Sequence, residues 1–349
     1  MHGTPAYEIV ELTPERAAEW DAFVTDHPDG TFYHLAGWRD VFARAFGHGC
    51  PYLAALHEGR IVGVLPLVHI RSPLFGNRLI STAFLVYGGP LATTATVRQR
   101  LSEAAIDLGR RLKAGHVEFR SRQALEDPAQ WHVNDSRYAT FVKALAADED
   151  ANLKAIPRKQ RAEVRKGIKA GLTSTKADHV ETLHHFLALS YRNLGTPAFS
   201  KRYLNAIKDR FGGRCQVLHI VDGEEPVGAV MSFFFRDEVL PFYAGTELAA
   251  RRKGVNDFLY WEVLRHALDR GARQFDFGRS KVGTGAFQFK KHWGFEPQPL
   301  AYEYHLYQGD TLPDTSPANP KYRLAIAAWK RLPLPVSKRI GPLISGQVG

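Results

Sequence analysis

The chain is poor in cysteine, with only Cys50 and Cys215 in 349 residues, and the two sit in unrelated contexts. That argues against a disulfide framework and against a cysteine metal site. Histidines are present but never in an H-E-x-x-H or similar spacing, and His184-His185 would point to opposite sides of a helix, so no metal is expected. No apolar run approaches the roughly 18–20 residues needed to span a bilayer. The N-terminal stretch MHGTPAYEIVELTPE lacks the basic start and apolar core of a signal peptide. A cytoplasmic protein is the expectation.

Acidic residues are also missing, in two places. Between Ala151 and Gly171 stand seven cations (Lys154, Arg158, Lys159, Arg161, Arg165, Lys166, Lys169) against Glu163 alone. From Pro320 to the end there are six (Lys321, Arg323, Lys330, Arg331, Lys338, Arg339) and no acid. The formal charge of +10 is therefore local, and the rest of the chain is close to neutral. Two basic features on a near-neutral protein imply local anionic partners rather than DNA or a generally adhesive surface. Like charges on one helix repel by tenths of a kcal/mol per pair, which favours an anionic ligand for the first segment over a merely solvated face.

What is present is ordinary for a soluble globular protein, with 44% hydrophobic and 23% charged residues. At this length two domains are expected. The first half reads as a strand at Tyr7–Leu12, a helix opened by Thr13-Pro14, a helix over Leu35–Phe46 and a hairpin of Pro51–His57 with Ile61–Ile70. A strand near Leu79–Tyr87 follows, then an amphipathic helix ended by Gly115, the strand His116–Ser121 and another near Tyr138–Lys143. The second half repeats that order. It has a strand near Leu172–Lys176, a helix capped by Asp178 with Glu181 three residues on and closed by Gly195, and a helix from Ser200 to Gly212. Strands Cys215–Asp222, Val227–Arg236 and Val239–Gly245 come next, then helix Asn256–Arg270, strand Arg273–Phe277 and a last strand at Leu300–Tyr307. Tyr87 to Gly115 and Tyr243 to Gly271 both span 28 residues, after which HVEFRS and ARQFDF align position by position. This predicts a duplicated β-α-α-β-β-β-α-β unit; elements of average size falling into step by chance is the alternative.

The densest run of reactive residues is QFDFGRSKVGTGAFQFKKHWGF, from Gln274 to Phe295. Its D-F-G has no upstream H-R-D loop or glycine-rich lid, which excludes a kinase. Gly278 and Gly283 are followed by Thr284 where a P-loop needs lysine. What is left is a strand leading to a glycine-bounded loop and a short basic helix. Gly283 and Gly285 would let backbone N–H groups approach an oxyanion or phosphate, with Lys290 and Lys291 following on the helix. A solvated basic surface over Phe287, Phe289 and Trp293 is the alternative. Asp276 could act as a base toward an amine or pair with Arg279 or Lys281. Tyr243, at a strand end, could donate a proton or simply pack.

The order of elements in each half resembles the GNAT acyltransferase fold, and two such units in tandem resemble the FemAB family. FDFGRSKVGTGAFQFKKHWGFEPQPL is similar to a signature of the FemAB-like subgroup associated with exosortase/PEP-CTERM and exopolysaccharide gene clusters. So are PRKQRAEVRKGIKAGL, RNLGTPAFSKRYL and NPKYRLAIAAWKRLPLP. The resemblance is specific from about residue 150 onward. It implies an α/β (α+β) fold of two tandem GNAT-like units, each a mixed, mostly antiparallel sheet flanked by helices. The units would be 1–150 and 151–310, the second preceded by the basic helix, with a basic proline-containing tail at 311–349. FemAB enzymes attach amino acids from aminoacyl-tRNA to peptidoglycan precursors and carry a substrate-contacting lysine in a Phe-Lys pair, matched by Phe289-Lys290. Three departures stand out: the long helical arm of some members has no counterpart, the acetyl-CoA loop [QR]-x-x-G-x-[GA] is matched by Arg251–Asn256 except at Asn256, and the equivalent stretch of the first half, Leu91 to Thr96, has no glycine. An asparagine at 256 would crowd a pyrophosphate or cap the helix itself.

These readings converge on an N-acyl or aminoacyltransferase acting on an amino group of a cell-envelope or exopolysaccharide precursor. Lys290, Asp276 and Tyr243 would be catalytic. Lys291, Arg279, Ser280, Lys281, Gly283, Gly285, Asn256 and the helix cations Arg158, Arg161 and Arg165 would bind the substrate, a phosphorylated sugar or lipid-linked acceptor. No metal or cofactor is required. The donor is open among aminoacyl-tRNA, an acyl carrier and acyl-CoA. The alternatives are a CoA-dependent N-acetyltransferase of an amino sugar and a non-catalytic scaffold at the membrane surface. The tail is expected to touch anionic membrane through Leu324, Ile326, Trp329 and Leu332 together with its cations.

Overall fold

Pro66, which has no N–H to give a ladder, interrupts an apolar stretch and turns one continuous strand into two, each in a different sheet. The structure is a computed structural model in which residues 6–309, 311–312 and 322–349 are described. It falls into two units, the first made of residues 1–137, 299–315 and 347–349, the second of 138–298 and 316–346.

The first unit begins with β1 (Glu8–Glu11), α1 (Ala17–Asp26) and α2 (Gly37–Phe46). Then come β2 (Leu53–His57), β3 (Arg60–Leu65), β4 (Leu67–Ser72), β5 (Gly76–Ser81) and β6 (Leu91–Ala92). It continues with α3 (Ala95–Arg111), β7 (His116–Ser121) and β8 (His132–Asn134). One sheet has the order β1-β2-β3-β6. In the other, β4 pairs with β5, β5 runs parallel to β7, and a strand at Ala301–Leu306 lies between β7 and β8. Thr94 caps α3 by accepting from Val97 N–H, and Val97, Leu101 and Ala105 bury one helix face against Leu53, Leu65, Leu79 and Val117.

The second unit holds β9 (Tyr138–Thr140), β10 (Val142–Ala144), α4 (Glu149–Ala155), α5 (Arg158–Lys169) and β11 (Leu172–Ala177). Next are α6 (Glu181–Leu194), α7 (Lys201–Phe211), β12 (Cys215–Asp222), β13 (Glu225–Phe235), β14 (Glu238–Thr246) and α8 (Val255–Leu268). Then come β15 (Gln274–Asp276), β16 (Ser280–Lys281), α9 (Gly285–His292) and the short β17 (Gln298–Pro299). The strand at Ala301–Leu306 is β18, and α10 (Arg323–Arg331) and α11 (Leu334–Val348) follow. The main sheet runs β10-β15-β14-β13-β12-β11, antiparallel except between β14 and β15. One face carries α5 and α8, whose Val164, Phe258 and Leu259 share a core with Leu218, Ile220 and Val230. The other carries α6, whose backbone approaches Gly245 so closely that a Cβ there would lie 2.3 Å from Phe186.

Strands neighbour one another in chain order in both units, β1-β2-β3 and β4-β5-β7 over two sheets in the first and β11 to β15 in one sheet in the second. The single parallel pairing, β5–β7 and β14–β15, falls at the same place, so the duplication holds at the level of topology. The ends are exchanged, however. The strand expected to close the first sheet, near Tyr138–Lys143, is two short pieces, and β10 pairs with β15 of the second. The strand expected to close the second sheet, β18, pairs with β7 of the first. The units therefore divide at 137/138 rather than 150/151, and α10 and most of α11 group with the second unit rather than forming a separate tail. Helix α6 starts at Glu181 with Val180 at its cap position and no side-chain cap, not on Asp178. Among the described residues no helix is long and apolar enough to cross a membrane, and no cluster of three or more His, Cys, Asp or Glu could hold a metal.

Candidate active site

β14 and β15 are parallel partners at only two positions, Glu238 with Gln274 and Val239 with Phe275. Beyond them β14 runs on to Thr246, while β15, paired along its whole length with β10 on the other edge, ends at Asp276. β14 also carries a bulge: Met231 faces Tyr243 and Ser232 faces Pro241, leaving Phe242 outside the register. Proline at 241 has no N–H for the ladder, which fits an irregularity at that point. The two strands thus part on the side where the glycine-bounded loop begins.

At that parting Asp276 is wholly buried, and Lys290 is only 8% exposed. Lys290 Nζ donates to the carbonyl oxygens of Gly278 at 2.8 Å and Arg279 at 3.1 Å. It also stands over the rings of Phe141 and Phe277, 5.4 and 5.6 Å from their centroids. Asp276 Oδ1 accepts from Gly278 N–H at 2.8 Å and from the Thr140 hydroxyl at 3.3 Å. Gly278 makes this turn possible with φ of 70°. Burial pulls the Lys290 ammonium down to about 7 against the attraction of Asp276, with Arg279 adding a smaller push in the same direction. Burial likewise pushes the Asp276 carboxyl up to about 6, while Gly278 N–H and Lys290 hold it lower. An amine that uses two of its three hydrogens on carbonyls in a nearly dry site is a fixed donor for a further oxygen.

Several expected site residues gather here. Arg279 stacks its guanidinium over the Tyr138 ring at 4.6 Å. The buried Ser280 hydroxyl has no hydrogen-bond partner among the described residues, and Lys281 pairs with Tyr138 in the β16–β9 ladder. Thr284 closes the loop by donating to Lys281 O and accepting from Phe287 N–H, so α9 starts at Gly285. Gly283 and Gly285 are exposed on the loop's outer side, as is Lys291 on the second turn of α9.

Three expected residues sit as follows. Asp276 is fully enclosed, and its Oδ1 accepts from Gly278 N–H and the Thr140 hydroxyl. Tyr243 is 2% exposed and packs in an aromatic cluster with Phe199, Tyr203 and Phe242, its hydroxyl 3.0 Å from that of Tyr203. Asn256 does not cap α8. Gly254 occupies the cap position with φ of 75° and no side-chain cap, and Asn256 Oδ1 accepts from the Thr246 hydroxyl at 2.6 Å. The side chain therefore does not consume the first-turn N–H groups.

The basic segment is α5, and Arg158, Arg161, Arg165, Lys166 and Lys169 line one shallow depression of about 440 Å³ along it. None of the residues around Lys290 lines it. Pro157, just before α5, lies 3.2 Å from the Cβ position of Gly294, which follows α9. Gly254 meets Glu163 O and Gly167 meets Phe258, so α5 also packs on the start of α8. The stripe thus runs from the end of α9, with exposed Lys291, to the turn Ala249–Lys253, with exposed Arg251 and Arg252. Residues absent from the sequence-level site are Thr140 and Phe141, which reach Lys290 and Asp276 through the exchanged strand.

Residues 158–291 match the family model described as an acetyltransferase (GNAT) domain. No curated protein matches the chain. Among solved structures, FemX superposes with a TM-score of 0.69 at 15% identity, covering 91% of this chain and all of FemX. A tandem GNAT protein from the clavulanic acid biosynthesis pathway gives 0.57 at 13% identity, covering 88% of this chain and all of that one. The C-terminal domain of a putative lysylphosphatidylglycerol synthetase from Agrobacterium fabrum gives 0.53 at 13% identity, covering 90% and 94%. The chain has the tandem GNAT fold, and its second unit carries the GNAT acetyltransferase similarity.

Proposed function

We propose that the protein is a FemAB-like transferase that moves an acyl or aminoacyl group onto an amine of a phosphorylated cell-envelope or exopolysaccharide precursor. The observation that carries this reading is the buried ammonium of Lys290, held by two carbonyls where β14 and β15 part. The amine of the acceptor attacks the acyl carbonyl, and a C–N bond forms. The oxygen takes the negative charge, with Lys290 as donor to it. Collapse breaks the bond to the leaving group, an ester alkoxide or a thiolate, which departs with the proton released by the amine. Asp276 is a positioning residue: it holds the Gly278 turn, and its charge favours the protonated form of Lys290 against the effect of burial. The phosphates of the acceptor bind the α5 stripe, with Lys291 and Arg279 nearer the reacting carbonyl. The PEP-CTERM association rests on the sequence resemblance alone.

A second reading, CoA-dependent N-acetylation, is favoured by one observation. With Asn256 turned to Thr246, its side chain is no obstacle to a pyrophosphate at the start of α8. The test is a transfer assay read by mass, offering aminoacyl-tRNA, acyl carrier protein and acetyl-CoA in turn to an amino-sugar nucleotide. Transfer from any one of them identifies the donor. Absence of transfer from all three, with no thermal stabilisation by the acceptor, would leave the scaffold reading in place of the enzyme.

A further inference from the structure

Helix α11 has its polarity inside out. Ser337, Gly341 and Ser345, one face at four-residue spacing, are buried. Gly341 approaches Ala198 so closely that a Cβ would lie 2.9 Å from its carbonyl oxygen. The opposite face shows Val336, Ile340 and Leu343, exposed by 38, 39 and 69%, with Arg339 exposed beside them. A surface helix normally buries its aliphatic residues and shows the polar ones. α10 is similar in part. Ile326 and Lys330 pack at Gly195, while Leu324 is 82% exposed between exposed Arg323 and Arg331. The apolar side expected for the tail is therefore split, with Ile326 turned inward. Lys321 and Asn319 lie outside the described residues. From Tyr322 to Gly349 there are five cations and no acid.

We propose that the outward face of α10 and α11 docks on an anionic lipid bilayer. Leu324, Val336, Ile340 and Leu343 enter the boundary between headgroups and acyl chains, and Arg323, Arg331 and Arg339 meet the phosphates. Charge decides between occupants. A second copy seated two-fold would set one pair of helices with five cations and no acid against another, whereas an anionic bilayer complements it. Because no described helix can span, the contact is superficial. Within the second unit α10 packs on α6, on the sheet face opposite α5, so a bilayer bound here leaves the α5 stripe in water.

The test is co-sedimentation of the full chain with phosphatidylcholine vesicles, with and without phosphatidylglycerol. Binding is expected only with phosphatidylglycerol and should weaken with salt. Val336→Ser/Ile340→Ser/Leu343→Ser should abolish it. Arg323→Gln/Arg331→Gln/Arg339→Gln should weaken it roughly a hundredfold, at about fivefold per cation. Arg158→Gln/Arg161→Gln/Arg165→Gln should bind vesicles like the wild type. If the serine variant melts early, the arginine variant decides. A wild type that ignores anionic vesicles, tail variants that bind like it, or an α5 variant that loses binding overturns the proposal. So does a wild type that dimerises through this face instead.

Discussion

Replacing Lys290 with methionine keeps most of the side-chain volume but deletes the ammonium. In the wild type that group satisfies Gly278 O and Arg279 O and faces a fully buried Asp276. Removing one partner of a buried charged pair typically costs about 3–5 kcal/mol. For a unit of this size each kcal/mol lowers the melting temperature by about 2–4 °C, so a fall of roughly 6–20 °C is expected at pH 7. Both groups explain the pH dependence: Lys290, whose folded pKa is lowered, adds stability to the wild type as pH rises above 7, a gain the variant lacks. The folded pKa of Asp276 is raised above the unfolded value, so its burial removes stability as pH rises through that window. Without Lys290 the raised value climbs further, and the variant should be nearest to wild type at pH 5 and furthest at pH 8. Adding Asp276→Asn removes the orphaned charge and should recover about 1–3 kcal/mol. Transfer separates the two roles of the lysine. The double variant should melt closer to wild type yet still lose roughly 100- to 1000-fold in rate, the usual effect of deleting an oxyanion donor. Calorimetric melting from pH 5 to 8 and single-turnover transfer are the two assays. A single variant melting within a degree of wild type at every pH refutes the burial argument; a double variant with full activity refutes the chemistry.

Transfer by the wild type should follow a narrow bell in kcat/KM, rising near pH 6 as Asp276 ionises and falling near pH 7 as Lys290 loses its proton; a flat profile from pH 5 to 9 would separate the pair from the reaction. Arg158→Gln/Arg161→Gln/Arg165→Gln should raise KM for a phosphorylated acceptor at least tenfold with little change in kcat, and should flatten its salt dependence, as initial rates will show. Gly245→Ala forces a methyl to 2.3 Å from the Phe186 backbone and should cost about 2 kcal/mol or more in denaturant titrations; an unchanged midpoint would mean that α6 is free to shift. Asn256→Ala should lower stability by about 1 kcal/mol through loss of the Thr246 bond. A tenfold gain in acetyl-CoA affinity in that variant would restore the view that this side chain blocks a phosphate.

Much of the fold was legible because its signals are local. Gly47, Gly195 and Gly254 adopt the left-handed conformation that ends or opens a helix, and the apolar spacing of α3 marks the face it buries. The partners of the two closing strands were not legible. Val142–Ala144 and Ala301–Leu306 are each a short strand with one acceptable face, and the alternation that identifies a strand says nothing about which sheet receives it. The same blindness hid Thr140 and Phe141, which reach Lys290 only through that exchange. For Lys290 the sequence supplied the residue and its neighbours, but the depression of its pKa comes from burial that no short motif encodes. Asn256 was misread because a helix-start pattern cannot reveal that Thr246, ten residues earlier, offers a better partner. α11 was not legible at all: Pro333 and Pro335 read as a stop, yet the helix begins between them at Leu334, where a proline in the first turn loses no helical hydrogen bond.

The exchanged strands also set a timetable for synthesis. β8 pairs with β18, and β7 takes β18 on one side, so both wait for residues 301–306. At a synthesis rate of about 5–20 residues per second, β7 leaves the ribosome roughly 10–40 s before its neighbour does. During that interval the nascent first unit offers a bare edge bearing HVEFRS, whose two charges, Glu118 and Arg120, pair with each other on one face of the strand rather than guarding its edge. A chain truncated after residue 150 would keep that edge indefinitely, so its natural fate is aggregation. Faster elongation through the second half, or a chaperone that shields β7, should raise the yield of folded protein without altering a single native contact.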